Sequence, residues 1–99
     1  EEVVESLRQN FPIYADNFTT FSQHTSAMHQ FAIWTLLCDA GFGCSLQHYN
    51  PLIDNDIQKQ WNLPTSWHLI AQMPFGVPSA APTPKTTEDL DKRMMVLRG

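Results

Sequence analysis

The sequence has 99 residues, of which 42% are hydrophobic and 11% aromatic, and its formal net charge is −4. This content of apolar residues excludes an intrinsically disordered chain, and the length allows one domain at most. The 6 basic against 10 acidic residues disfavour a nucleic acid or an anionic membrane as a partner. We therefore expect a single soluble, cytoplasmic domain over residues 1–99.

The first quarter of the chain predicts a helix followed by a loop. Val3, Val4 and Leu7 form one apolar stripe, which indicates an amphipathic helix over residues 1–10. Residues 11–25 combine proline, asparagine, serine and threonine with several aromatic side chains, and this mixture predicts a loop. A loop so rich in aromatic rings is expected to pack against another surface.

Residues 27–40 predict a helix that is apolar on nearly every side, and such a helix has to be buried all round. The run is shorter than the ~20 residues that span a bilayer, and it contains Asp39, so a membrane span is disfavoured. Its expected place is a protein core or a subunit interface. Gly41 can adopt the left-handed conformation that ends a helix.

A strand and a tight corner are expected next. Residues 44–46 predict the strand and residues 47–49 the corner, while Asn50 and Pro51 suit the N-cap and first position of a helix. A corner between two rigid elements exposes backbone N–H groups. We expect such groups to be able to bind a flat polar ligand.

The remaining elements are short. Residues 51–61 carry one apolar stripe and predict a helix, and residues 67–73 alternate at strand period with apolar groups on both faces. Residues 77–84 contain three prolines and predict an extended connector. One helical turn over residues 86–91 and a strand over residues 93–97 complete the prediction.

No classical catalytic or metal motif is present. Cys38 and Cys44 lack the C-x-x-C spacing, so we interpret them as reduced packing residues, with a reactive cysteine as the minor alternative. His24 and His29, five residues apart, do not share a helical face, so no metal site is expected. No nucleophile elbow surrounds a serine, and a hydrolase is disfavoured.

Two runs carry a family resemblance: GFGCSLQHYNPLI over residues 41–53 and WHLIAQMPFG over residues 67–76. They resemble the nitroreductase family of FMN flavoproteins, in the subgroup shared by bacteria and fungi, and the similarity extends over essentially the whole chain. Family members are substantially longer, and their arginine-bearing opening motif for the FMN phosphate has no counterpart here. The resemblance implies an α+β fold in which a central buried helix packs on a mainly antiparallel sheet, with residues 1–99 as the C-terminal half.

The resemblance also implies a cofactor site. In the family, backbone N–H groups of the corner reach N5 and O4 of the flavin, which implies that the N–H groups of Gln47 and His48 are the donors here. The cofactor-binding residues in this stretch are expected to be Ser45, Leu46, Gln47 and His48. Lys85 matches the position from which a basic residue returns to the FMN phosphate. Judged by composition alone, His48 is a capping or surface histidine and Lys85 a solvated lysine. No side chain is expected to act as a general acid or a nucleophile.

The implied function is that of a homodimeric FMN-dependent NAD(P)H oxidoreductase, which reduces nitroaromatic or quinone-like acceptors by hydride transfer through flavin N5. The alternative is a non-catalytic flavin-binding or dimerisation module with the same fold. The missing opening motif favours this alternative if the 99 residues are the whole protein.

Overall fold

The computed structural model describes all 99 residues, Glu1–Gly99, and confirms the α+β class. The elements in chain order are α1 (Glu2–Asn10), a 3-10 helix (Pro12–Asn17), α2 (Phe18–Asp39), β1 (Gly43–Cys44), α3 (Asp54–Gln60), β2 (Phe75–Gly76) and a 3-10 turn (Leu90–Lys92). Helix α2 is the longest element, and α1, the first 3-10 helix and β1 all contact it. It is therefore the element around which the chain is arranged.

The chain forms an open scaffold. None of its 99 residues is buried. Its radius of gyration is 18.4 Å, whereas a compact chain of this length has about 13 Å. Its accessible surface is 8980 Å², about 3,300 Å² more than a compact chain of this mass exposes. The all-round burial that the sequence predicts for residues 27–40 is therefore not supplied by the chain itself.

Helix α2 begins at Phe18, well before the predicted start, so the predicted loop over residues 11–25 is wrong beyond residue 17. The polar residues that suggested a loop are accommodated within the helix. The Thr25 hydroxyl donates to the carbonyl oxygen of Phe21 at 3.0 Å, one helical turn earlier. Such a bond satisfies the hydroxyl without interrupting the helix.

The end of α2 is the predicted one. Gly41 has φ +89°, in the left-handed region. The N–H of Gly41 donates to the carbonyl of Cys38 at 3.0 Å, and the N–H of Phe42 donates to the carbonyl of Leu37 at 2.9 Å. This pair of bonds is a Schellman motif, which satisfies carbonyls that the helix leaves free at its C-terminus.

Strands β1 and β2 are the visible part of a longer antiparallel pairing. Gly43 pairs with Gly76 and Cys44 with Phe75, and an isolated bridge joins Gln47 to Gln72 in the same register. Between them, the N–H of Ser45 donates to the carbonyl of Pro74 at 3.1 Å. Proline has no N–H to return, so the ladder loses one bond there. Residues 43–47 and 72–76 thus run side by side with the ladder interrupted at Pro74.

Three predicted elements require correction. Helix α3 begins at Asp54, and residues 51–53 form a turn. The Asn50 side chain bonds to the Asp54 carboxylate and the Leu69 carbonyl, so it does not cap a backbone N–H of the helix. Of the strand predicted over residues 67–73, only Gln72 pairs, because no second neighbour lies beside it. Residues 93–97 form no strand for the same reason, since the sheet has two strands only.

Substitution at Gly41 tests the helix end. An added Cβ would meet nothing within 4 Å, so the cost of Gly41→Ala comes from the backbone conformation alone. We expect a loss of about 1–2 kcal/mol in the free energy of unfolding, measured by urea denaturation with circular dichroism. Gly76→Ala is the matched control, because its Cβ also meets open space and its φ is not positive. Equal losses for the two variants would contradict the left-handed helix end.

Candidate functional site

The corner over residues 47–50 is held against Gln72 by its main chain. The N–H of Gln47 donates to the carbonyl of Gln72 at 2.8 Å, and the N–H of Gln72 donates back to the carbonyl of Gln47 at 2.9 Å. Both bonds have ordinary lengths for this type. Gln47 and Gln72 therefore fix the end of the pairing at the point where the chain turns.

The side chain of Gln72 extends this contact around the corner. Its Oε1 accepts the N–H of Tyr49 at 2.8 Å, and its Nε2 donates to Oδ1 of Asn50 at 3.2 Å. The Nδ2 of Asn50 donates to Oδ1 of Asp54 at 2.9 Å and to the carbonyl of Leu69. The corner is thus tied to the first residue of α3 and to the segment before β2.

The bonds within the chain distinguish the backbone N–H groups of this segment. The N–H of Gln47 donates to the carbonyl of Gln72, and its assignment to the cofactor stays a prediction. The N–H groups of Leu46 and His48 have no acceptor within the chain. They flank Gln47 in an extended segment, where successive N–H groups alternate between the two sides, so both lie on the side away from Gln72. A ligand on that side would meet two free backbone donors.

The other predicted site residues are placed differently. The Ser45 hydroxyl accepts a hydrogen bond from Nε2 of Gln47 at 2.6 Å, so it stabilises the corner from within. The His48 side chain is exposed and bonds to nothing in the chain. Lys85 is exposed in the irregular segment after β2 and forms no ion pair. Its assignment to the cofactor stays a prediction.

Sequence reasoning missed Gln72 and Asn50 as part of this site. Both lie within the two runs that carry the family resemblance, and that position was the available signal. Their function depends on a contact between residues more than twenty positions apart, which no local pattern encodes.

A cleft of about 940 Å³ lies elsewhere, between α1, α2 and residues 66–70. His68 contacts the Glu1 carboxylate there, and the hydrogen bond from His68 holds the pKa of that carboxyl below its ordinary value. A cleft between elements of an open chain is space that a core would fill. It is therefore no argument for a ligand site.

The two cysteines differ in environment. Cys38 is exposed and Cys44 half-buried, and neither is in a disulfide. Burial raises the pKa of the Cys44 thiol, and the neighbouring Cys38 thiol raises it further. A raised pKa keeps the sulfur protonated and unreactive at neutral pH. This supports the interpretation of Cys44 as a packing residue.

Neither a metal site nor a membrane span is found among the elements of the structure. No three His, Cys, Asp or Glu side chains lie close enough together to hold a metal ion. No helix combines the length and the hydropathy that crossing a bilayer requires.

Comparison with known proteins identifies the class. No family sequence profile matches the chain. Its fold matches the nitroreductase CinD of Lactococcus lactis with a TM-score of 0.93 and 43% identity, over 98% of this chain and 51% of CinD. CinD has been solved in complex with nicotinic acid, with 4-nitrophenol and with chloramphenicol. The fold is therefore that of a nitroreductase, as the resemblance implied.

Two proteins of the yeast Saccharomyces cerevisiae give the same family. The chain is 41% identical to “Putative nitroreductase HBN1” and 37% identical to nitroreductase FRM2, in each case over 86 residues. These alignments cover 87% of this chain and 44% of each yeast protein. The chain belongs to the nitroreductase family and spans about half the length of the curated relatives it matches.

Thiol alkylation tests the raised pKa of Cys44. The rate of reaction of Cys44 with iodoacetamide should rise with pH and reach its midpoint above the ordinary thiol pKa of about 8.5. Mass spectrometry of each cysteine peptide across the pH range measures this directly. The Cys38→Ser variant removes the neighbouring thiol and should move the Cys44 midpoint downwards. A Cys44 midpoint below 8.5 in the unchanged chain would contradict the structure.

Proposed function

We propose that this chain belongs to an FMN-dependent NAD(P)H oxidoreductase that reduces nitroaromatic or quinone-like acceptors. The observation that carries the proposal is the pair of free backbone N–H groups of Leu46 and His48 beside a rigid corner. The nitroreductase relationship supplies the context. Because nicotinamide nucleotides are held within cells, a cytoplasmic location is part of the proposal.

The residues present fit the proposed cofactor. The edge of the isoalloxazine ring that carries N5 and O4 is a flat row of hydrogen-bond acceptors, and two fixed main-chain donors suit such an edge. Leu46 and His48 would hold that edge, with Lys85 as the cation for the phosphate. Flavin supplies hydride transfer through its N5 when it is bound. The chain's own residues would bind and orient it, so no side chain here has to be an acid, a base or a nucleophile.

The ligands solved with CinD support the proposed acceptor class. Two ligands solved with CinD, 4-nitrophenol and chloramphenicol, carry a nitro group on an aromatic ring, and the third, nicotinic acid, is a planar heteroaromatic acid. Small planar aromatic acceptors are therefore the substrates we propose for the protein to which this chain belongs.

Helix α2 supports the proposed homodimer. Phe31 and Ile33 are both exposed, and because they are two residues apart, about 200° around the helix axis, they lie on nearly opposite faces. Some of its polar side chains bond within the helix, as in the bond from the Thr35 hydroxyl to the carbonyl of Phe31 at 2.8 Å. A helix with exposed apolar side chains on opposite faces suits burial in a subunit interface.

Charge on α2 tests the homodimer. Phe31 is 75% exposed, so Phe31→Asp causes little loss of packing within the chain but would bury a charge at the interface. We expect the variant to be monomeric by light scattering at concentrations where the unchanged protein is a dimer. Gln23→Asp, which adds the same charge at an exposed polar position of α2, should leave the dimer intact. A dimeric Phe31→Asp protein would contradict the proposed interface.

The flavin proposal is tested by absorption and by one substitution. After incubation with excess FMN and desalting, we expect the protein to retain the visible flavin band. His48→Pro removes the free N–H and should weaken FMN binding about tenfold or more in a fluorescence titration. His48→Ala keeps the N–H and should bind FMN almost as the unchanged protein does.

The pattern of results separates the alternatives. Equal FMN affinity for His48→Pro and the unchanged protein would show that the donors are misassigned. Retained FMN without NADH or NADPH turnover would favour the non-catalytic flavin-binding module. A colourless protein would contradict flavin binding by this chain.

A further inference from the structure

We propose that Gln72 is the positioning residue of this site, and that it fixes the corner so that the N–H groups of Leu46 and His48 face the cofactor together. The inference rests on the proposed function and extends it to a residue that would not itself touch the flavin. It is based on the four hydrogen bonds that Gln72 makes to residues 47–50.

The four bonds constrain different parts of the corner. The two main-chain bonds to Gln47 fix the segment before the turn. The side-chain Oε1 holds the N–H of Tyr49, immediately after the free N–H of His48. The side-chain Nε2 holds Oδ1 of Asn50, which is itself bonded to Asp54 and Leu69. The backbone is therefore fixed on both sides of His48.

The bonds on both sides of His48 determine the direction of its free N–H. With Gln47 and Tyr49 both bonded to Gln72, the peptide unit of His48 cannot turn its N–H toward Gln72 without breaking a bond on one side. Fixed donors need no reorganisation when a ligand arrives, which is how prearranged N–H groups favour binding. Loss of the Gln72 side chain would leave the main-chain bonds to Gln47 but release the N–H of Tyr49, while Asn50 would keep its bonds to Asp54 and Leu69.

The test compares three variants of the full chain. Gln72→Met keeps the length of the side chain but removes both of its polar contacts. Gln72→Glu keeps an acceptor for the N–H of Tyr49 and loses the donor to Asn50, so it should restore part of the function. Gln58→Met is the matched control, because Gln58 makes one side-chain bond, to the carbonyl of Pro64 at 3.1 Å, away from the corner.

The first readout needs no flavin. We expect hydrogen exchange of the Tyr49 amide, measured by nuclear magnetic resonance, to be faster in Gln72→Met than in the unchanged chain. Exchange in Gln72→Glu should lie close to the unchanged value, and Gln58→Met should not alter it. Equal exchange in Gln72→Met and the unchanged chain would overturn the role of Gln72 in holding the corner.

The second readout is the flavin itself. Gln72→Met should raise the dissociation constant for FMN about tenfold and change the shape of the bound flavin's visible band, with Gln72→Glu between it and the unchanged chain. Faster exchange with unchanged FMN affinity and spectrum would overturn the positioning role while the proposed function stands. Failure of the unchanged chain to bind FMN would overturn the proposed function and with it the role of Gln72 toward the cofactor. If Gln72→Met does not fold, Gln72→Glu is the deciding variant, because it loses only the bond to Asn50. Unchanged FMN affinity and spectrum in Gln72→Glu would then overturn the positioning role.

Discussion

The pairing of residues 43–47 with residues 72–76 is the contact on which the rest of the site depends. It joins the segment that follows α2 to the segment that precedes the proline-rich connector, and it contains the sheet and the Gln47–Gln72 bridge. Pro74 removes one bond from the ladder, so the bridge at Gln72 closes a pairing that would otherwise end early. The corner and its free donors lie immediately beyond that bridge.

The division of hydrogen-bond donors along this segment has a geometric cause. Successive N–H groups of an extended chain point to opposite sides, so the donors of Ser45 and Gln47 face the neighbouring segment. The donors of Leu46 and His48 face the other way and stay free. One pairing therefore creates both a stable edge and a row of open donors. This separates the structural residues of the corner from those that can hold a ligand.

The second constraint is the absence of a core. Helix α2 exposes apolar side chains on opposite faces, and none of its side chains is buried. The surface in excess of a compact chain, about 3,300 Å², is several times the ~800 Å² that one partner contributes to a standard interface. A dimer contact of ordinary size would cover only part of it. This agrees with a chain that spans about half the length of its relatives.

Local chemistry was sufficient for some features of this protein. The amphipathic stripe of α1, the apolar run of α2 and the left-handed Gly41 each depend on neighbouring residues, and their patterns in the sequence determined them. The motif over residues 41–53 likewise indicated the family.

The tertiary structure decided what depends on distant contacts. Gln72 occupies the N–H of Gln47, and Asn50 bonds to Leu69 instead of capping α3, because these residues meet only when the two segments pair. The strands predicted over residues 67–73 and 93–97 were limited in the same way, since a strand forms only where a neighbour lies beside it to accept its hydrogen bonds.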